Sequence, residues 1–386
     1  MKVCFFHDST FIKDEETYYT CGALNNELLE KYTDAFGELT IVTRYQEANS
    51  SNSKFIKDEN KITLDNVRFN CVKKYHMAFK IIEKEVRNCD FAILRTHSFI
   101  STIAYFYLRK YNKRYIVESV SCAFDCLWYH SLPGKFVSIP MYILTKKIVK
   151  NAYAVVYVSE RFLQKRYPTR GIELACSDVM LSNISVNNLE SRLGRELNME
   201  NRKIILGNIS NVDIKYKGHK YILQAMRILI EEGHDLELRL VGGGTGKRIE
   251  KLKKKYGLEE RVKLVGPLPH NEIFNFIKDI DIYIQPSNAE SHGRVIIEAF
   301  SMACPVIGSS TGGIPELVEK DFVFKRKKYK DLVAKIKKMC NSDIRKVAIN
   351  NFGAAKAFSK EELINKRYGF YKKIMEQINN EGNNEK

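Results

Sequence analysis

The chain alternates short apolar runs with stretches whose apolar residues recur every three or four positions. Runs at Val3–Phe6, Leu39–Val42, Phe91–Leu94, Tyr115–Val117 and Ala154–Val158 have strand length and are read as strands buried on both faces of a sheet. The helical-period stretches between them complete a β–α alternation, which predicts an α/β fold. A polar segment from Asn183 to Asn188, continuing to Gly194, breaks the pattern and is expected to carry a linker. The alternation resumes at Lys203-Ile-Ile-Leu-Gly207 and runs to about Lys346. One α/β unit is therefore expected over residues 1–185 and a second over 200–346, followed by a helix over 360–378 and a frayed polar tail over 379–386. With 386 residues in all, each unit is long enough to bury its own core.

Composition narrows the partners. A formal charge of +17 favours anionic ones: phosphorylated substrates, a membrane surface or nucleic acid. The basic residues are spread over many segments without a helix-turn-helix, zinc-finger or RNP signature, so no nucleic-acid partner is expected. For a membrane surface the candidate is the amphipathic stretch Met141–Tyr153, which sets Lys146, Lys147 and Lys150 beside Ile143, Leu144 and Ile148. An ordinary packing helix with a lysine rim is the competing reading. No apolar stretch approaches the roughly 20 residues that span a bilayer. The opening Met1-Lys-Val-Cys-Phe-Phe-His7 is read as a first strand rather than a signal segment. The nine cysteines are scattered, as reduced thiols would be, so a cytoplasmic location is expected, with peripheral contact at the inner membrane face. Cys122 and Cys126 lack a matching His or Cys cluster, and no metal or other cofactor is expected.

One glycine-rich turn is a near miss. Val241-Gly-Gly-Gly-Thr-Gly-Lys247-Arg248 has Val241 where a phosphate-binding P-loop needs its first glycine and Arg248 where it needs Ser or Thr. It also fails the dinucleotide pattern, since Lys247 stands at the final glycine. ATPase and dehydrogenase readings are set aside.

The densest chemical signal is Gln285-Pro-Ser-Asn-Ala-Glu290-Ser-His-Gly293-Arg-Val-Ile-Ile-Glu298, followed by Thr311-Gly-Gly-Ile-Pro-Glu316. An apolar strand runs into a turn holding Glu290, Gly293 opens a helix, and Glu298 sits among apolar neighbours within it. Free amides and the dipole at a helix start favour an anion such as a pyrophosphate. A buried Glu298 carboxylate needs partners, and two ribose hydroxyls would serve.

The eight-residue spacing of Glu290 and Glu298 resembles the Glu-x7-Glu signature of the family 4 retaining glycosyltransferases. Leu236–Gly244, Val262–His270, Asp281–Ser287 and Thr311–Glu316 follow in that family's order, and the resemblance covers roughly residues 203 to 320. It implies a GT-B fold, with two Rossmann-like domains facing across a cleft and a C-terminal helix crossing back to the first. It further implies that Gly293, Arg294 and Val295 receive the diphosphate, that Glu298 holds the ribose, and that Leu268 packs against the base. Glu290 and His292 would stand at the transferred sugar, and Lys217, in Lys217-Gly218, would neutralise the leaving diphosphate. The family's upstream arginine is replaced by Asn208, for which Lys215 or Arg294 could compensate. On the acceptor side, His7, Asp8 and Gly22 are expected in and after the loop that follows the first strand. His97 and Glu118 are expected at strand ends, each with a buried structural role as the alternative.

The chain is thus expected to be a glycosyltransferase moving a sugar from a nucleotide diphosphate sugar to a lipid-linked glycan acceptor in surface or capsular polysaccharide synthesis. A nucleotide-sugar 2-epimerase of the same fold, a non-catalytic sugar-nucleotide-binding protein and a nucleic-acid-binding protein are the alternatives.

Overall fold

The computed structural model describes residues 1–22, 24–182, 184–195 and 202–384. They fall into two compact units, the first Met1–Cys176 with Ile364–Lys386 and the second Ser177–Leu363.

The first unit is built on β1 (Val3–Asp14), β2 (Thr17–Thr20), β3 (Leu39–Glu47), β4 (Val67–Phe69), β5 (Phe91–Thr96), β6 (Arg114–Ser119), β7 (Ala154–Tyr157) and β8 (Ile172–Ala175). The sheet order is β4-β3-β1-β5-β6-β7-β8, all parallel, with β2 folded back antiparallel on the far end of β1. The apolar runs read from the sequence form its centre, since a strand covered on both faces needs no polar alternation. The sequence pattern missed β2, β4 and β8, which have three or four residues each and are largely half-buried or exposed, so none presents a continuous apolar run.

β1 is longer than expected. The polar pair His7 and Asp8 looked like its end, but the strand runs on through them, shifting register against β3 between Phe6 and Thr10. Phe11 and Ile12 then return to the core. His7 and Asp8 therefore lie inside a strand, at an irregularity, and not in the loop after it.

The second unit carries β9 (Ile204–Ile209), β10 (Leu236–Val241), β11 (Val262–Gly266), β12 (Ile282–Gln285), β13 (Val306–Ser309) and β14 (Val323–Phe324), all parallel, in the order β11-β10-β9-β12-β13-β14. Chain order runs outward from β9 to β11, then returns to β12 on the other side. The carboxyl ends of β9 and β12 thus flank the reversal point, where open α/β sheets bind ligands.

Three boundaries differ from the expected ones. Most of the supposed linker is a helix, Val186–Leu193, capped by Ser185; Leu189 and Leu193 pack on Ala303, Ala348 and Phe352. Asn183 and residues 196–201 lie outside the described residues. The second unit continues past Lys346 through the helix Ile344–Ala355, which packs on the helix Arg294–Ser301. The final helix runs Lys360–Asn384, so most of the expected tail continues it, while Glu385 and Lys386 lie outside the described residues.

Candidate functional site

At the carboxyl end of β12 the backbone is squeezed between two glycine loops. Gly312 has φ +58, and a side chain there would place its Cβ 1.5 Å from the carbonyl oxygen of Glu290; Gly313 N–H donates to that same carbonyl at 3.2 Å. Gly218 has φ +82, and a Cβ there would meet Pro286 O at 2.0 Å. Only glycine allows either approach, and together they fix the turn holding Glu290 and bring Lys217 beside it.

Glu290 Oε2 accepts from Lys217 Nζ at 3.1 Å, from Gln285 Nε2 at 3.1 Å and from Ser287 Oγ at 3.4 Å. Gln285 is held in turn by the Tyr283 hydroxyl, and Ser287 by Ser309, whose Oγ donates to the Ser287 carbonyl at 2.6 Å. The carboxylate is thus oriented by Lys217, Gln285 and Ser287, and the last two are themselves held by Tyr283 and Ser309. Sequence reasoning quoted Gln285 and Ser287 only as part of the motif and gave them no role; both are polar residues at the end of a buried strand, which was the available signal.

The helix Arg294–Ser301 starts at Gly293, φ +86, beside this turn. Glu298 faces inward from it and is buried. His270 Nδ1 lies 4.0 Å from its Oε1, an ion pair only when the imidazole carries its second proton, and a neighbour the sequence did not reveal. Burial pushes the carboxyl up to about 7, against the opposing charge of Arg294. A buried carboxylate so lightly compensated is costly to ionise and ready to accept hydroxyl donors. Leu268 is half-buried against the same core, in the loop after β11.

His292 is placed differently from the expectation that it faces the sugar. Its Nε2 lies 2.6 Å from Ser177 Oγ and its ring packs near Phe358, so it ties the Glu290 turn to two other segments of the unit. Burial lowers its pKa, opposed by Asp178 and Glu290.

Two further sequence features are resolved. The amides of Thr245 and Gly246 donate to Asp213 Oδ2 and Oδ1 at 2.6 and 3.2 Å, so two amides of the glycine-rich turn are filled by a carboxylate from the loop after β9. Asn208 is buried, donating to Ile284 O at 2.8 Å and accepting from Ser210 Oγ at 2.8 Å; Ser210 in turn meets His219 Nε2 at 2.9 Å. Burial, with the charges of Arg248 and Lys217, drops His219 to about 3, so the network that stands where the family carries an arginine is neutral. Of the two compensating cations expected, Lys215 is exposed, whereas Arg294 opens the helix and its charge acts on both Glu298 and His292.

In the first unit, Glu118 is no open ligand group. Its Oε1 accepts from Arg367 at 2.8 Å and Tyr371 at 2.7 Å, and its Oε2 from Arg95 at 2.8 Å and Tyr32 at 2.5 Å, all buried. Burial pushes its pKa up, but Arg367 and Arg95 outweigh that and hold it below the usual range. The structural alternative expected for Glu118 is the one its surroundings favour, because each carboxylate oxygen already accepts two hydrogen bonds. His7 lies at the β1 irregularity with Nδ1 3.3 Å from Arg95 O, its pKa lowered to about 3 by burial and by Arg95. His97 meets Ser121 Oγ at 2.9 Å and burial lowers its pKa as well. Asp8 caps the helix Phe99–Lys110 through the amides of Phe99 and Ile100 at 2.6 and 3.1 Å. Gly22 is exposed just past the β1–β2 hairpin.

A family model described as glycosyl transferases group 1 matches residues 193–356, a span inside the second unit that contains Lys217, Glu290 and Glu298. Protein CapJ of Staphylococcus aureus is 31% identical over 355 residues, covering 89% of this chain and 86% of its own. The chain belongs to the group 1 glycosyl transferases. It is a nucleotide-sugar-dependent glycosyltransferase of GT-B architecture, as the ordered motifs led us to expect. Membership selects the transferase over the epimerase, binding-protein and nucleic-acid alternatives. The amylovoran biosynthesis glycosyltransferase AmsK of Erwinia amylovora is 34% identical over 110 residues, 27% of each chain. Among solved structures, Anabaena Alr3699/HepE in complex with UDP superposes with a TM-score of 0.68 at 16% identity, over 97% of this chain and 100% of its own.

Proposed function

We propose that this glycosyltransferase moves a sugar from a nucleoside diphosphate sugar to a hydroxyl of a lipid-linked glycan in surface polysaccharide synthesis, retaining the anomeric configuration and using no metal. The observation that carries this reading is the convergence of Glu290, Lys217 and the Gly293 helix start at the sheet's reversal point, with Glu298 buried in the same helix. Lys217 and Arg294 supply cations for the diphosphate, and the helix start adds its amides. Glu298 accepts the ribose hydroxyls. Glu290, held toward the sugar side, stabilises positive charge on the anomeric carbon as its bond to the phosphate oxygen lengthens. The acceptor hydroxyl attacks the same face, the new C–O bond forms as the old one breaks, and the hydroxyl proton leaves on the departing phosphate. Structures of HepE with UDP and with UDP-glucose support a uridine donor, and the amylovoran role in AmsK's name supports a glycan acceptor.

A panel of UDP- and GDP-sugars, incubated with polyprenyl-linked acceptor in excess EDTA, tests this. Transfer with the donor's anomeric configuration kept in the product, read by NMR, is expected. Inversion would remove the retaining mechanism, and complete loss in EDTA restored by magnesium or manganese would remove the metal-independent one.

A further inference from the structure

The amphipathic stretch expected over Met141–Tyr153 is the second half of a longer helix, Leu132–Lys150, that starts where Ser131 Oγ accepts from Gly134 N–H at 3.1 Å. Pro133, Gly134 and Pro140 hid its first half from a periodicity reading, because each is a poor helix residue. The side chains also divide differently from the expectation. Ile148 is buried and Leu144 packs against the core, so neither accompanies the lysines outward. Instead Leu132, Phe136, Ile139 and Ile143 are exposed, Phe136 to 84% and Leu132 to 73%. At about 100° per residue these four fall within roughly 60° of arc and span about 17 Å of helix. Gly134, Ser138, Met141, Thr145, Ile148 and Val149, on the opposite side, are buried.

The charge around the stripe has one sign. Lys135, Lys146, Lys147 and Lys150 are exposed on its flanks and at its end, and residues 132–150 contain no acid. The helix Phe99–Lys110 packs beside it, also without an acid, and adds exposed Phe106 and Arg109. Asp125, on the helix Ala123–His130 that packs against it, is engaged by Arg166 at 3.6 Å. Beyond Lys150 an open recess of about 590 Å³ is bordered by Arg170, adding a further cation where the helix ends. A monomer rarely leaves so ordered a line of large apolar side chains in water without a use. A partner protein would meet it with shape and paired charges; an anionic bilayer meets it with a hydrocarbon boundary under a sheet of negative headgroups, which matches apolar centre and lysine rim together. Among the described residues no helix is long and apolar enough to cross a membrane, so the contact lies in the interface plane.

We propose that the outer face of the Leu132–Lys150 helix docks the protein on an anionic lipid bilayer, with Leu132, Phe136, Ile139 and Ile143 entering the headgroup boundary and Lys135, Lys146, Lys147 and Lys150 contacting lipid phosphates. This deepens the reading of a lipid-linked acceptor and rests on it for its purpose, though not for its test. The purified full chain is floated with vesicles of phosphatidylcholine alone and of phosphatidylcholine with phosphatidylglycerol, over a salt series, and nucleoside diphosphate release from the donor sugar is measured in vesicle-free buffer. Wild type is expected on the anionic vesicles only, weakening as salt rises. The triple variant Phe136→Ser, Ile139→Ser, Ile143→Ser should lose flotation while keeping its circular dichroism and its vesicle-free donor turnover. Lys146→Gln with Lys147→Gln should each lower the partition on the order of fivefold. Equal flotation of the stripe variant, or binding indifferent to lipid charge, overturns the proposal. So does a wild-type dimer that the stripe variant converts to monomer without any vesicle binding, which assigns the face to a second copy of the chain. Absent donor turnover with intact anionic flotation would instead strike the transfer reading and leave the docking surface standing.

Discussion

Lys217 Nζ lies 3.1 Å from Glu290 Oε2, two charges brought together from 73 residues apart by the loops of Gly218 and Gly312. Both side chains are about one-fifth exposed, so the pair is neither a surface ion pair nor a sealed one. On the proposed reading, a diphosphate at the Gly293 helix start would offer Lys217 a second anion and leave Glu290 to the sugar, so the pair would separate into two tasks on donor binding.

Glu290→Ala should therefore cut sugar transfer by about 10²- to 10³-fold, the scale of losing one oriented electrostatic group. Nucleoside diphosphate affinity should change little. Steady-state kinetics with calorimetry separates the two, and equal loss of both would move Glu290 into the nucleotide pocket.

Glu298 carries a pH signature. An ordinary Glu titrates near 4.5 and this one is raised to about 7, so the folded chain holds the proton more tightly than the unfolded one. Ionisation then costs stability progressively as pH climbs from the first value to the second, up to about 3 kcal/mol once above the second. Glu298→Gln, neutral throughout, should stabilise the ligand-free protein above pH 7 and change it little below 4.5, measured by urea unfolding. Donor affinity of the wild type should rise as pH passes 7, when the carboxylate is free to accept hydroxyls. In the Gln variant affinity should fall about tenfold or more, the value of hydrogen bonds to a charged acceptor.

In the first unit, Arg367 reaches Glu118 over 249 residues of sequence. Breaking a buried pair strands a charge, so Arg367→Met should destabilise by about 3 to 5 kcal/mol in urea. Because Arg367 and Arg95 hold the Glu118 pKa down, the stability it contributes is present above the ordinary value and is lost as pH falls through the depressed one. The difference between wild type and the Arg367→Met variant should accordingly shrink in acid. A difference unchanged with pH would mean the arginine acts through packing alone.

The sequence displayed what is periodic or locally spaced. Buried parallel strands are apolar over Phe91–Leu94 and Ile282–Ile284, so the fold class could be read directly, and the Glu290–Gly293–Glu298 series lies on one turn and helix, so its clustering was legible from spacing alone. What escaped depends on partners distant along the chain. Glu118 looked like a strand-end ligand because its four donors lie on other elements, Arg367 and Tyr371 among them in the last helix. Asp213 filling the glycine-rich turn, and His270 approaching Glu298, are likewise long-range pairings that no spacing announces. The half of the Leu132–Lys150 helix that holds Pro133 and Pro140 was hidden for a local reason, since tertiary packing overrode propensity there.

The most direct test of the account is release of nucleoside diphosphate from a panel of UDP- and GDP-sugars by wild type and by Glu298→Gln, with and without a polyprenyl-linked glycan acceptor. The account predicts that one donor is consumed, that the acceptor accelerates its consumption with sugar appearing on the glycan, and that Glu298→Gln needs about tenfold more donor to reach the same rate. Folded, monodisperse protein that binds and consumes none of the donors, or a Glu298→Gln variant with unchanged donor dependence, would contradict it.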